Sequence, residues 1–197
     1  MSALVISGDT SGQISVTVPA VAGSNTITLP AGTGTAAIQG VSTNIVASTT
    51  VASTSGTAID FTNIPAYVKR ITVLFNAVST SGTADPMVQI GSGSIATTGY
   101  NSQGFRWSGS AGANTPLTTG VNIAISAATN IIYAAMTIYN MGSNVWFFNL
   151  SGQDLSSNNG YISTGVITLS GAPDRLRITT ANGTDTFDAG SVNILYE

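Results

Sequence analysis

Apolar residues recur at every second position along this chain, in short runs closed by Gly, Pro, Asn or Asp, and no window carries a 3.6-residue stripe. That pattern predicts strands throughout. In "KRITVLFNAV", Ile71, Val73, Phe75 and Ala77 point one way and Arg70, Thr72 and Asn76 the other, with Leu74 as the exception on the wet face. "DRLRITT" repeats the logic with Leu176 and Ile178 inward, and "SVNILY" puts Val192, Ile194 and Tyr196 on one face. Adding "AIDF", "PMVQIG", "GFRW", "VNIAIS", "IIYAAMTIY", "NVWFFNL" and "ISTGVITLS" gives enough short strands, with turn signals between them, for two packed sheets. The fold class is therefore all-β, an antiparallel sandwich of jelly-roll type.

Three segments need more than alternation. "GYISTGVITLSG" changes phase, and a bulge at Gly165 would bring Ile162, Ile167 and Leu169 to the same side. "VNIAISAATNIIYAAMTIYNM" is long enough to cross a bilayer, but Asn122, Ser126, Asn130 and Asn140 interrupt it and no Lys or Arg flanks it. It reads as two strands joined at "AATN". Within it, Ile132, Ala134, Met136 and Ile138 share one face, while Ile131, Tyr133, Ala135 and Tyr139 share the other. One core covers one face; the second needs the opposite sheet, reached by strand curvature, or a neighbouring subunit, which makes Ile131, Tyr133 and Tyr139 interface candidates. "NVWFFNL" is likewise apolar on both faces, as a central or interface strand would be.

The beginning of the chain is different. "SVTVPAVAGSNTITLP" holds two short alternations, each running into a proline, and an isolated pair of short strands is marginal in water. They need a sheet or a partner to lie against. "LPAGTGTAAIQG" then loses alternation and reads as a linker, so residues 1–42 form an arm and linker and residues 43–197 the sandwich. "MSALVISGDTSG" has no basic region, adequate apolar run or cleavage pattern, which leads us to expect a protein kept in the cytoplasm until something releases it.

Composition narrows the chemistry. Five Lys and Arg stand against eight Asp and Glu among 197 residues, 7% charged where soluble domains carry about a quarter. At a net charge of -3, affinity for nucleic acid through phosphate neutralisation is not expected. Cys and His are both absent, which removes disulfides, thiolate ligands and most catalytic bases. Asp154, Asp185 and Asp188 are the remaining acid/base candidates, and their turn-forming neighbours favour a structural role. "DLSSNNG" superficially resembles an oxygen-ligand calcium loop, but its glycine falls one place late and position 165 is Gly where a bidentate Glu belongs. No metal and no cofactor are expected. "GSGS" and "GTGT" lack the Lys of a phosphate loop. "GYNSQGFRWSGS" sets Tyr100, Phe105, Arg106 and Trp107 among Gly and Ser as an exposed loop would; those side chains are either core or subunit contacts, or aromatic platforms beside polar groups suited to a glycan.

"SVTVPAVAGSNTITLPAGTGT" resembles a segment common in tailed-bacteriophage fibre proteins. "IDFTNIPAYVKRITVLFNAVSTSGT", "VQIGSG", "TTGY" and "DRLRITTANGTDTFDAGSVNILYE" resemble the C-terminal domain of many phage and prophage fibres, leaving residues 101–160 as the stretch without resemblance. The resemblance implies a virion protein assembled in the host cytoplasm, without enzymatic activity and without membrane insertion. It implies a homotrimer whose arm docks on other virion proteins, of tail or capsid, and whose sandwich faces a host receptor, such as a cell-surface glycan. Ile14, Val16, Val18, Ile27 and Leu29 would be the attachment positions, by strand addition to a neighbouring sheet; Tyr100, Phe105, Arg106 and Trp107 would be the receptor contacts. Fibres usually carry a long shaft between anchor and knob, and this chain has none, which keeps a head fibre or capsid decoration protein in view. A non-phage adhesin or polysaccharide-active protein is the remaining alternative.

Overall fold

The computed structural model describes residues 3–7, 13–17, 45–109 and 111–197, and the chain divides into two compact units, Met1–Ser42 and Thr43–Glu197. In the first, β1 (Ala3–Ser7) and β2 (Gln13–Thr17) pair antiparallel, with Ile14 opposite Ile6 and Val16 opposite Leu4. The strand read at Ile14 and Val16 thus finds a partner inside its own unit, in "ALVIS". Val18, Ile27 and Leu29, and the second alternation of the arm, lie outside the described residues.

The second unit is all-β. Two short strands, β3 (Val46–Ala47) and β4 (Val51–Ala52), lead into β5 (Ala58–Thr62), β6 (Arg70–Thr80), β7 (Pro86–Ser92) and β8 (Ser94–Ile95). Then come β9 (Asn101–Ser108), β10 (Ala111–Leu117), β11 (Val121–Asn122), β12 (Ile132–Asn140), β13 (Val145–Asp154), β14 (Asn159–Thr168), β15 (Arg175–Thr180) and β16 (Phe187–Tyr196). No helix among the described residues is long and apolar enough to cross a membrane.

Taken in chain order, β4, β5, β6, β7, β11, β12, β15 and β16 are the strands of a jelly roll. They divide into the facing orders β4-β16-β6-β12 and β5-β15-β7-β11, with the first strand paired to the last. Two hairpins are added. β13 and β14 follow β12 outward, and β9 and β10 continue the same sheet beyond β14, giving nine strands against five. All ten segments read from alternation contain strand, although of "VNIAIS" only Val121–Asn122 is strand; β10, "AGANTPL", escaped because it has no apolar alternation to read.

One core fills the space between the sheets. Ile71, Val73, Met136, Ile138, Trp146, Phe148 and Leu150 from the larger sheet meet Ile59, Phe61, Val88, Ile90, Leu176 and Ile178 from the smaller, all buried. Each of the larger side chains contributes about 1.5–3 kcal/mol by leaving water. β16 lies between β6 and the short β3 and β4, so Val192 and Ile194 are core residues as expected. Ala77, expected inward, instead occupies a bulge with φ 54°, opposite Gly190 at φ 89°. A Cβ on Gly190 would stand 2.3 Å from the Ala77 carbonyl oxygen, so only glycine fits there.

The bulge expected at Gly165 does not exist. β14 pairs with β13 without a register shift from Asn159 to Thr168, burying Tyr161, Ser163, Gly165 and Ile167 and turning Ile162 and Val166 outward. The apparent change of phase arises because the inward face is small where β11 packs on it. The Ser163 hydroxyl donates to the Asn122 carbonyl at 2.6 Å, and a Cβ at Gly165 would lie 2.5 Å from Val121 Cγ2. Gly165→Val should therefore destabilise the fold by about 1–3 kcal/mol in urea unfolding, through overpacking; a neutral effect would mean that β11 is not seated there.

Candidate functional site

The larger sheet turns one face to the core and the other outward, and the outward face carries most of the exposed large apolar residues. Leu74, Phe105, Trp107, Tyr133, Tyr139, Ile162 and Val166 lie on it. The outward positions of β9, β10, β12, β13 and β14 carry no charged residue. The smaller sheet is the opposite: its outward face bears a bidentate Arg177–Asp60 pair at 2.7 Å and an Arg175–Asp174 pair at 2.8 and 3.0 Å. Arg177 holds the Asp60 carboxyl below its ordinary value, and Arg175 brings that of Asp174 to about 2. Two ion pairs thus mark the outward side of the smaller sheet, while on the larger sheet the outward positions of β9, β10, β12, β13 and β14 stay neutral and the Arg70–Glu197 pair lies at their border.

Register divides the neutral face into bands. Gln103, Thr164, Asn149, Thr137 and Thr72 follow one another across β9, β14, β13, β12 and β6 as a polar row. On one side of that row, Val166, Phe147 and Tyr139 are cross-strand neighbours and end at Arg70, which pairs with Glu197. On the other side are Phe105 beside Ile162, and Trp107 followed by Gly160, Gln153 and Tyr133.

"GYNSQGFRWSGS" is not a loop. Residues 101–108 are β9, bonded to β14 on one side and β10 on the other, and alternation sends the four candidate contacts to different places. Phe105 and Trp107 face outward, 40% and 39% exposed, with ring centroids 6.0 Å apart. Arg106 points to the opposite side, where its charge acts on Asp85 and Tyr161. Tyr100 precedes the strand and is core: its hydroxyl accepts the Ile90 N–H at 2.8 Å and donates to the Ile90 carbonyl, and its ring meets Phe148 edge-on at 6.0 Å. Burial pushes that hydroxyl well above the ordinary tyrosine range. Tyr100 is thus withdrawn from any surface contact, and Arg106 does not share a face with Phe105 and Trp107.

The interface candidates fare differently from one another. Tyr133 and Tyr139 are on the outward face of β12, about 20 Å apart along the strand. Ile131 precedes β12 and is half-buried, its N–H donated to Asp154 Oδ1 at 2.8 Å and its carbonyl accepting the Leu155 N–H.

The carboxylates weighed for acid/base or calcium chemistry do structural work. Asp154 Oδ1 also accepts the N–H and the hydroxyl of Ser156, and Oδ2 accepts Asn130 Nδ2 at 2.6 Å. Burial opposes its ionisation, but these hydrogen bonds outweigh it and hold the carboxyl below its ordinary value. Asp185 closes the 182–185 turn and accepts the Ala84 N–H, while Asp188 accepts from Ser79. A groove of about 360 Å³ crosses the smaller sheet, lined by Thr57, Gln89, Thr119, Arg177 and Thr179. Three of its polar side chains are already committed: Gln89 donates to the Thr119 carbonyl, Thr179 to the Thr57 carbonyl and Arg177 to Asp60.

Sequence reasoning missed Asp85, at the start of β7. It accepts Asn122 Nδ2 at 2.6 Å and the Ile125 N–H at 3.0 Å, tying β11 to the edge of the smaller sheet. Burial raises its pKa, against the opposing pull of those bonds. No protein-family model, no curated protein and no solved structure matches the chain.

The titration of Asp85 has a defined sign. Its folded pKa lies above the ordinary 3.8, so its contribution to stability is greatest below that pH and is lost as the pH rises through the folded value. Asp60, Asp154, Asp174 and Asp185 lie below 3.8 and act oppositely, losing their contribution as the pH falls. Urea unfolding across this range should show Asp85→Asn removing part of the decline above pH 3.8 while leaving the acid limb in place. An unchanged profile above pH 3.8 would contradict the burial of this carboxylate.

Proposed function

We propose that the chain is a structural virion protein of a tailed bacteriophage. It is a short trimeric tail fibre or receptor-binding spike, anchored by residues 1–42 and presenting the sandwich outward. The observation that carries this reading is the charge-free, aromatic outward surface of β9, β10, β12, β13 and β14, set against two ion pairs on the outward side of the smaller sheet. Such a face suits contact, either with other copies or with an uncharged surface, and apolar patches containing Tyr are typical of lasting interfaces. The jelly roll supports the reading by analogy, since capsid and lectin domains use it. The resemblance of the arm and of the C-terminal strands to phage fibres adds to it. No catalytic role is proposed.

Subunit contact is assigned to the band formed by Tyr139, Phe147 and Val166; Tyr133 lies across the polar row, at the far end of the Trp107 row. A three-fold ring would close these patches on one another without leaving an open edge. A head fibre or capsid decoration protein is the second reading, favoured by the sequence, in which no shaft-like segment separates the arm from the sandwich.

Cross-linking of intact particles followed by mass spectrometry tests both readings by showing whether the chain's neighbours are tail or capsid proteins. Absence from particles, or hydrolysis of host polysaccharide by the purified chain, would overturn the proposal. Deleting residues 1–42 should leave a cooperative β fold and abolish incorporation. Sedimentation at low micromolar concentration should give about three times 19.9 kDa, and Tyr139→Asp should dissociate the assembly; a stable monomer would refute the trimer.

A further inference from the structure

Phe105 and Trp107 are two large aromatic side chains side by side on the outward face of β9, and the strands beside them make room for them with glycines. A Cβ at Gly112, on β10, would fall 2.3 Å from Phe105 Cζ. A Cβ at Gly160, on β14, would fall 2.4 Å from Trp107 Cε2 and Cζ2. Both rings therefore lie close over their neighbours' backbones, in space that the glycines leave open. With their planes 32° apart and their atoms over the two glycines, the rings together form a tilted aromatic platform. The hydrogen-bonded strands on either side of β9 hold it in place.

Polar groups border the platform. Asn114 stands opposite Phe105 and shares a hydrogen bond with Gln103, while Gln153 follows Gly160 in the Trp107 row and Ser151 follows Ile162. These are amides and a hydroxyl, able to donate and accept, with no charge among them. We propose that this platform is a binding site for a neutral saccharide: the apolar face of a pyranose stacks on Phe105 and Trp107 while the surrounding amides bond its hydroxyls. The inference rests on the receptor-binding reading, to which it adds the ligand's class and the two residues that engage it.

A second copy of the chain is the competing occupant, and the pattern of the face argues against it here. The polar row from Gln103 to Thr72 separates the platform from the Tyr139 band. A dry protein contact over the platform would also desolvate Gln103, Asn114 and Gln153 without supplying partners, whereas a sugar brings its own hydroxyls. Neutrality excludes attraction for an acidic glycan, since no cation faces outward beside the rings.

The test uses the full chain and immobilised neutral oligosaccharides of hexose and N-acetylhexosamine units, with sialylated and sulfated oligosaccharides in parallel. Binding to one or more neutral probes is expected, with Phe105→Ala and Trp107→Ala each weakening it about tenfold or more and Trp107→Tyr retaining most of it. Far-ultraviolet circular dichroism and sedimentation accompany each variant, and Arg106→Gln, which alters the opposite side of β9, should bind as wild type. The proposal is overturned if no neutral probe is retained, if only acidic probes are, or if binding survives both alanine variants. It is overturned equally if Trp107→Ala dissociates the assembly and leaves saccharide binding intact. Binding by a chain that is missing from phage particles would refute the virion reading while leaving the platform established.

Discussion

The domain depends on one place where a strand of the smaller sheet lies directly on the backbone of the larger. Ser102 and Gly104 on β9 and Ser163 and Gly165 on β14 form a block of four small inward residues, and Val121 and Asn122 of β11 fill it. Ser102 donates to the Gly120 carbonyl at 2.7 Å and Ser163 to the Asn122 carbonyl at 2.6 Å, so the approach satisfies backbone groups that would otherwise be buried unpaired. Asp85 fixes the other side of β11 through Asn122 and Ile125. Without this seat, the small inward positions of β9 and β14 would be left uncovered.

The outward surface follows from that support. Because β9 and β14 are held from inside, their outward positions can carry Phe105, Trp107, Ile162 and Val166 on a firm sheet. The few ionic groups sit elsewhere, two of the ion pairs on the smaller sheet. Stability in this low-charge chain comes from the apolar core and side chain–backbone hydrogen bonds, with the exposed ion pairs contributing little. The neutral face is thus left free for contact, which is where the proposed assembly and saccharide binding are placed.

How much of this was legible in the sequence depended on the size of the inward residues. Where they were large, as in Ile71, Val73, Leu176 or Ile178, alternation gave strand and face correctly. Where they were small because another strand approaches, alternation misled: Ser163 and Gly165 looked like polar or bulge positions, and Ile162 looked like core. The same cause hid the site. "GYNSQGFRWSGS" reads as a loop because its inward positions are Ser102 and Gly104, so its aromatic residues could not be sorted by face. Tyr100 and Arg106 were grouped with Phe105 and Trp107 by nearness in sequence, although period-2 geometry sets Arg106 on the opposite face from its two neighbours. Asp85 gave no signal, since its partners are 37 and 40 residues away.

Hydrogen–deuterium exchange of the full chain tests most directly whether the added hairpins belong to the same cooperative core as the jelly roll. The account predicts that amides of β9 and β14 that bond across the sheet exchange as slowly as those of β6 and β16, and that Gly165→Val accelerates β9, β11 and β14 together. Fast exchange confined to β9, β10 and β14 in the unmodified chain, with β6 and β16 protected, would show the extension to be loosely attached and would contradict it.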